Sequence, residues 1–271
     1  MTHVVGILRE PEYSPGRVED DAAILERTCE VPADRGMDAS FGDVDLLTRA
    51  APAAVLAMCQ SVASLAVLDR CAADVPVVNT PDAIRACHRY ETVRRLAASA
   101  APFPATRIVE TRERAARTDA APCWVKRGDV HAMAADDVVF AATGRELEAA
   151  LDDFAARGIT RAALQTHVEG VVVKFYGVVD GRFFRCFTQG SEVPAPLPAL
   201  WEAAHAGARA LGLEVFGGDL VVNVEGRPML IDVNDWPSFA RCRDEAAEAI
   251  AGYVADRLAG KSRLEYEGQH G

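Results

Sequence analysis

Short apolar runs alternate with amphipathic stretches from the first residues onward. VVGIL, VLAMC and VPVVN read as strands, and helices are predicted between them, around Val18 to Arg35 and from Ser61 to Ala73. This order predicts a small α/β layer over residues 1–80. Pro32 ends or breaks the first helix, because it removes a backbone donor and crowds the preceding turn. Thr80-Pro81 then opens a helix over DAIRACHRYETVRRLAAS, with proline at the position where its missing N–H costs nothing. The two prolines of APFPATRIV mark a linker into the next strand.

The middle of the chain alternates again. PCWVKR is a predicted strand, GDVHAM a loop, DDVVFA a strand, TGRELEAALDDFAARG a helix stopped by Gly158, and AALQTHV a strand. Two β-hairpins follow, EGVVVKFYGVVDGRFFRCF and GGDLVVNVEGRPMLIDVN, on either side of a helix around Ala199 to Leu211. Asp180-Gly181 is a strong turn signal for the first tip, and Glu225-Gly226 a weaker one for the second. A final helix runs from about Arg243 to Leu258, followed by a polar tail, and no internal repeat is visible.

Composition narrows the function. A chain of 271 residues that is 50% apolar and 25% charged has enough material for one large domain or a few lobes around a cleft. The net charge of -11 argues against a nucleic-acid binder, which needs a basic face. The opening apolar run is interrupted by Arg9, Glu10 and Glu12, so it reads as neither a signal peptide nor a membrane span, and a cytoplasmic protein is expected. The 7 cysteines are dispersed without a CxxC pair, which predicts reduced, mostly buried thiols. Of the 29 basic residues only Lys126, Lys174 and Lys261 are lysines. Lys126 and Lys174 lie inside apolar strands, where a compact ammonium suits phosphate contact.

Counting outward from Glu225 and Gly226 as a two-residue turn puts Asp219 opposite Asp232, with Asn234 on the same face. Like charges placed opposite each other destabilise a hairpin unless something positive sits between them. Two carboxylates and an amide oxygen suit Mg²⁺ in a nucleotide site. The alternative is a half-solvated sheet end whose acids pair with arginines. The same arithmetic from Asp180 and Gly181 sets Tyr176 opposite Arg185, with Lys174 on that face. Such a Lys, Tyr and Arg cluster would neutralise a transferring phosphoryl group, or it is a surface hairpin with a cation resting on Tyr176. Lys126 shares a strand face with Trp124 and points into a cleft, and no P-loop sequence is present to hold phosphate instead. His131, in the loop after Lys126, contacts phosphate or an acceptor, or is merely solvated.

This order of features resembles the ATP-grasp superfamily, from about Val75 to the final helix. The resemblance implies an α/β fold with a small N-terminal α/β domain, residues 1–80, followed by an ATP-grasp region over 81–271. Two α+β lobes within that region, about 103–167 and 168–260, would clasp ATP. It also implies that Lys126 and the hinge LQTHVEG bind the nucleotide, with Gln165 and Val168 at adenine and Arg89 or a neighbour at phosphate. Asp219, Asp232 and Asn234 would hold one or two Mg²⁺ ions. Lys174, Arg185 and His131 would be the catalytic groups, with Tyr176, Asp235, Trp236 and Ser238 at the acceptor, although Trp236 equally suits a core.

Two departures matter. GDVHAM has a single glycine where the family's phosphate-covering loop is glycine-rich, and Asp232 stands where glutamate is common. Both variants look like the inositol-phosphate kinases of the superfamily, as do VKFY and IDVNDWPSF. The typical member is instead a ligase that acts through an acyl phosphate, such as a carboxylate–amine ligase of the ribosomal-protein glutamate ligase kind. Three functions are therefore carried forward: a carboxylate–amine or thiol ligase, favoured by class frequency; a small-molecule kinase, for which Arg127, Arg185, Arg241 and Arg243 would line the pocket; and a catalytically silent nucleotide-binding module. The partners expected are ATP and a small acceptor, with the first third building either part of the acceptor pocket or a homodimer surface.

Overall fold

The structure, a computed structural model, describes residues 2–31, 37–113, 122–129, 133–190 and 192–260. The N-terminal layer contains strands β1 (Thr2–Ile7), β2 (Met37–Gly42), β3 (Ala54–Ala57) and β4 (Val77–Val78) with helices α1 (Val18–Glu30) and α2 (Val62–Cys71). Its sheet is parallel, in the order β2-β1-β3-β4. The chain pattern does not predict β2. MDASFG buries only Met37, because an edge strand needs little apolar surface and so carries little hydrophobic signal.

The helix expected after Thr80 is two helices, α3 (Pro81–Ala86) and α4 (Arg89–Ala97). Thr80 caps α3 as expected, its hydroxyl accepting from the Ala83 N–H. The break comes at His88, whose backbone is extended at φ -66 and ψ 133. Thr92 Oγ1 donates to the Ala86 carbonyl that the break exposes, at 2.9 Å. No proline or glycine announces this break, yet it makes Arg89 the first residue of a new helix.

Two antiparallel sheets follow. Strands β5 (Thr106–Glu110), β6 (Cys123–Arg127), β7 (Val138–Ala141) and β8 (Arg161–Thr166) form one sheet in the order β5-β8-β6-β7. Helix α5 (Gly144–Ala156) packs on it through Leu147, Ala150, Leu151 and Phe154, the i, i+3, i+4, i+7 stripe of an amphipathic helix. Strands β9 (Gly170–Val178), β10 (Phe184–Phe187), β11 (Val215–Asn223) and β12 (Pro228–Asp235) form the other, in the order β10-β9-β11-β12. One face of it is closed by α6 (Leu197–Leu211), and Val173, Phe175, Phe216, Leu220 and Leu230 sit in that core. Helix α6 ends on Gly212 at φ 75, a left-handed cap that glycine adopts without a Cβ penalty. Helix α7 (Arg243–Leu258) packs along α1, with ion pairs Arg243–Asp20 and Arg27–Asp244 at 3.0 and 2.8 Å. Asn79 ties the N-terminal layer to β11: its Oδ1 accepts from the Glu214 and Val215 N–H groups, and its Nδ2 donates to the Val215 carbonyl.

All seven cysteines are free thiols, and Cys29, Cys59, Cys87, Cys123 and Cys242 are buried, as their dispersal predicts. Among the described residues no helix is long and apolar enough to cross a membrane.

Candidate active site

The second face of the β10-β9-β11-β12 sheet turns toward a cleft. Across it Lys174, Asp219 and Asp232 stand in one row on β9, β11 and β12, because Asp219 pairs with Lys174 on one side and with Asp232 on the other. Asp219 therefore opposes Asp232 as the hairpin arithmetic predicts, but by a different route. The tip closes on Asn223 and Arg227 around three turn residues rather than two. A β-bulge between Asp219 and Leu220 then restores the register, leaving Ile231 as the extra residue. The Ile231 carbonyl accepts a hydrogen bond from Lys126 Nζ at 2.8 Å, which links β6 of one lobe to β12 of the other.

The positive partners that the acid pair needs are present. Lys174 Nζ lies 3.0 Å from Asp219, and Arg89 Nη1 lies 2.8 Å from Asp232. Asn234 Nδ2 donates to Asp232 Oδ2 at 3.1 Å. Burial alone would raise the Asp232 carboxyl, but the charges of Arg89 and Lys126 and the bonds from Arg89 and Asn234 outweigh it and bring it down to about 2. Asp219 moves the other way: burial and the neighbouring Asp232 raise it, and Lys174 offsets only part of this. Lys126 is pushed down to about 8 by burial and then by Arg89, against the pull of the two acids. One carboxylate is thus held firmly ionised beside a second that gains from a further positive charge.

These groups fit Mg²⁺. Among the described residues no cluster of three or more His, Cys, Asp or Glu side chains has metal-binding geometry. The candidate set is two carboxylates and one amide, which suits an ion that keeps water and phosphate oxygens in its shell. The cleft also fits a nucleotide base. Gln165 is 2% exposed and its Oε1 has no hydrogen-bond partner. Val168 lies two residues past the end of β8 and is half-buried. Beside Gln165 lies an aromatic group not singled out by the sequence: Phe140 contacts Trp124 and His167 with centroids 5.2 and 5.0 Å apart, and Trp124 Nε1 donates to His167 Nδ1 at 3.2 Å. The usable signal was Trp124, because its cross-strand neighbours are Phe140 and Gln165.

Arg127 spans the two ends of the loop between β6 and β7. It holds Asp129 with a pair of bonds at 2.7 and 2.8 Å and the fully buried Asp137 at 3.1 Å. Asp137 in turn accepts from the Met133 and Ala134 N–H groups. His131, the candidate within this loop, lies outside the described residues.

From Lys174 and Asn234 a cavity of about 430 Å³ runs toward the N-terminal layer. Tyr176, Asp235 and Ser238 line it, and the N-terminal third supplies Arg9, Ser14, Arg17, Asp21 and Gln60. These last residues were missed because they come from separate segments that meet only in the folded chain. Asp21 is buried while Glu19 and Asp20 in the same helical turn are exposed, a difference that the acidic run EDD does not show in sequence.

Two candidates are corrected. Trp236 is fully buried and its Nε1 donates to the Val78 carbonyl at 3.0 Å, so it is a core residue that anchors the strand end and not an acceptor contact. Arg185 faces Tyr176 in register, but its guanidinium is turned to Glu245 at 2.6 Å and over the Phe183 ring, outside the cavity. Arg241, which stacks on Phe187, and Arg243 are also outside it, and Arg127 belongs to the loop clasp.

No protein-family model matches this chain, and no curated protein sequence does. Its structure is similar to solved structures over nearly its full length. A RimK domain ATP-grasp protein from Sphaerobacter thermophilus DSM 20745 is 20% identical with a TM-score of 0.68, over 94% of this chain and 100% of that one. D-alanine–D-alanine ligase from Bacillus anthracis, complexed with ATP, is 12% identical with a TM-score of 0.70, over 100% of both chains. The ATP-grasp ligase PsnB, complexed with a minimal precursor, is 17% identical with a TM-score of 0.64, over 97% of this chain and 99% of that one. The fold of this chain is the ATP-grasp fold.

Proposed function

We propose that this protein is an ATP-dependent ligase that activates a small carboxylate and joins it to an amine. The observation that carries the reading is the single row of Lys174, Asp219 and Asp232, with Lys126 and Arg89 against it, at the mouth of a cavity sized for a small molecule. The solved structures with this fold include ligases, one of them complexed with ATP. In the reaction a carboxylate oxygen bonds to the γ-phosphorus as the bond from that phosphorus to ADP breaks. An amine nitrogen then bonds to the acyl carbon, phosphate leaves, and the amine proton passes to solvent.

Each residue has a role that follows from its place. Asp219, Asp232 and Asn234 would hold Mg²⁺, which neutralises phosphate charge when bound. Lys126 and Lys174 supply fixed positive charge where negative charge develops. Arg89 keeps Asp232 ionised, so it positions the acid rather than meeting substrate. Gln165, Val168 and the Trp124–Phe140 face receive the base. In this assignment residues 1–80 share the acceptor side of the site with Tyr176, Asp235 and Ser238, and the ATP-grasp region supplies the nucleotide side.

The test is a thermal-shift titration with ATP, with and without Mg²⁺, since selective binding to the native state raises its apparent stability. A magnesium-dependent shift that is lost in Asp219→Asn is the expected result. No shift at millimolar ATP would overturn the reading. Transfer of phosphate to a hydroxyl acceptor with no acyl product would replace it with the kinase reading.

A further inference from the structure

Asp232 and Asn234 lie on the last strand of their sheet. In the order β10-β9-β11-β12, no strand among the described residues pairs with the far side of β12, so contacts from outside the sheet hold it. The Leu230 N–H donates to the Pro102 carbonyl at 2.7 Å, and Lys126 Nζ donates to the Ile231 carbonyl at 2.8 Å. Arg9 holds the other end: its Nη2 donates to the Asp235 and Trp236 carbonyls at 3.1 and 3.0 Å. Asp232 and Asn234 fall between these two sets of contacts.

Arg9 belongs to a different layer. It follows β1, lines the cavity floor with Asp21, Gln60 and Asp235, and its side chain is 12% exposed. Its Nε donates to the Met58 carbonyl just past β3, and its Nη1 donates to Asp21 on α1. One planar fork thus joins the ends of β1 and β3 and helix α1 to the end of β12, a geometry that an ammonium cannot reproduce. The end of β12 needs this support. Trp236 is fully buried at φ 35, a left-handed backbone that a bulky residue keeps only where its surroundings over-determine it. Its N–H donates to the Val215 carbonyl and its indole to the Val78 carbonyl, while Arg9 engages its own carbonyl. Two residues earlier, Asn234 spends Nδ2 on Asp232, which leaves its Oδ1 free for a cation.

We propose that Arg9 is a positioning residue for magnesium: from the N-terminal layer it fixes the end of β12 and so keeps Asn234 set beside Asp232. The proposal rests on the magnesium site of the ligase reading and gives residues 1–80 a part in it. Mg²⁺ demands near-ideal octahedral geometry at short distances, so a ligand that drifts costs affinity directly.

The test reads binding rather than turnover. The full chain is titrated with ATP, once with Mg²⁺ in excess and once with EDTA, and the ratio of the two dissociation constants is the gain that magnesium supplies. In Arg9→Met this gain is expected to fall about tenfold or more, the usual cost of losing a partner behind a metal ligand, with the affinity for metal-free ATP unchanged. Charge alone would act the other way, since removing a cation near the site favours a divalent ion. Leu68→Ala is the control, because Leu68 is fully buried in a core cluster of the same layer that contains no residue of β12. It should lower the melting temperature and keep the full gain. If Arg9→Met does not fold, Arg9→Lys keeps a charge beside Asp21, loses the fork, and should change the gain in the same direction. An undiminished gain in the Arg9 variants, or an equal fall in Leu68→Ala, overturns the proposal and leaves the ligase reading standing. No gain from magnesium in the wild type removes the site on which it rests.

Discussion

Two arginine–carboxylate pairs sit at opposite edges of the β10-β9-β11-β12 sheet. Arg185–Glu245, at the β10 edge, is the shorter, at 2.6 Å, with side chains 50% and 59% exposed. Arg89–Asp232, at the β12 edge, spans 2.8 Å with exposures of 8% and 26%. Distance alone would rank the outer pair first, but solvent reverses the order. Water screens the outer charges and replaces either partner when it is lost, whereas an orphaned inner charge has little to turn to. The inner pair also works against its own helix, since Arg89 begins α4, where the helix dipole disfavours a cation. Asp232 supplies the compensation.

The contrast is broken most severely by Arg89→Ala. Leaving the half-buried Asp232 without its partner should cost about 3 kcal/mol of unfolding free energy in urea titrations, the low end for a broken buried pair. A loss under about 1 kcal/mol would put this pair in the same class as the outer one.

Lys126→Met comes next. If Lys126 serves the proposed phosphoryl site, removing its charge should lower the rate of ADP release by about a hundredfold or more, with circular dichroism unchanged. The same variant tests the depressed ammonium. The native Lys126 releases its proton near pH 8 and the unfolded chain near 10.5, so between those values the unfolded state holds more protons and stability rises with pH. Below pH 8 both states are protonated and the full cost of the buried charge remains. Wild-type stability should therefore climb more steeply than that of Lys126→Met across this window. Parallel slopes would mean that Lys126 is solvated.

The outer pair should show the smallest effects. Glu245→Ala and Arg185→Ala are expected to change stability by under about 1 kcal/mol and the rate by under about fivefold, the same energy expressed as a rate. A rate collapse in Arg185→Ala would return that residue to the catalytic set.

What the sequence made legible follows the same division between local and assembled features. The hairpins, the Asp180-Gly181 tip and the helix from Arg243 to Leu258 are set by neighbours in sequence, and they are found where periodicity and turn residues place them. The opposition of Asp219 and Asp232 was legible only because two errors cancel, a turn one residue longer than counted and a bulge that absorbs it. The edge strand β2, the break before Arg89 and the turning away of Arg185 depend on distant partners. So does the cavity floor, where Asp21, Gln60 and Asp235 meet from three segments. No local pattern carries that meeting, because hydrophobic period and turn chemistry report a segment's own backbone and not what it will face.

The bulge at Ile231 has one more consequence, and it concerns entropy. Holding a free lysine side chain in one rotamer costs up to about 2 kcal/mol. The carbonyl released by the bulge already holds Lys126, so that ordering cost falls on folding rather than on ligand capture. An ammonium has three donors, and one bond to Ile231 leaves two, which the proposed function gives to phosphate oxygens. An irregularity in one strand thus orders a flexible side chain of the facing lobe on folding, which in the proposed function sets it in advance for the nucleotide.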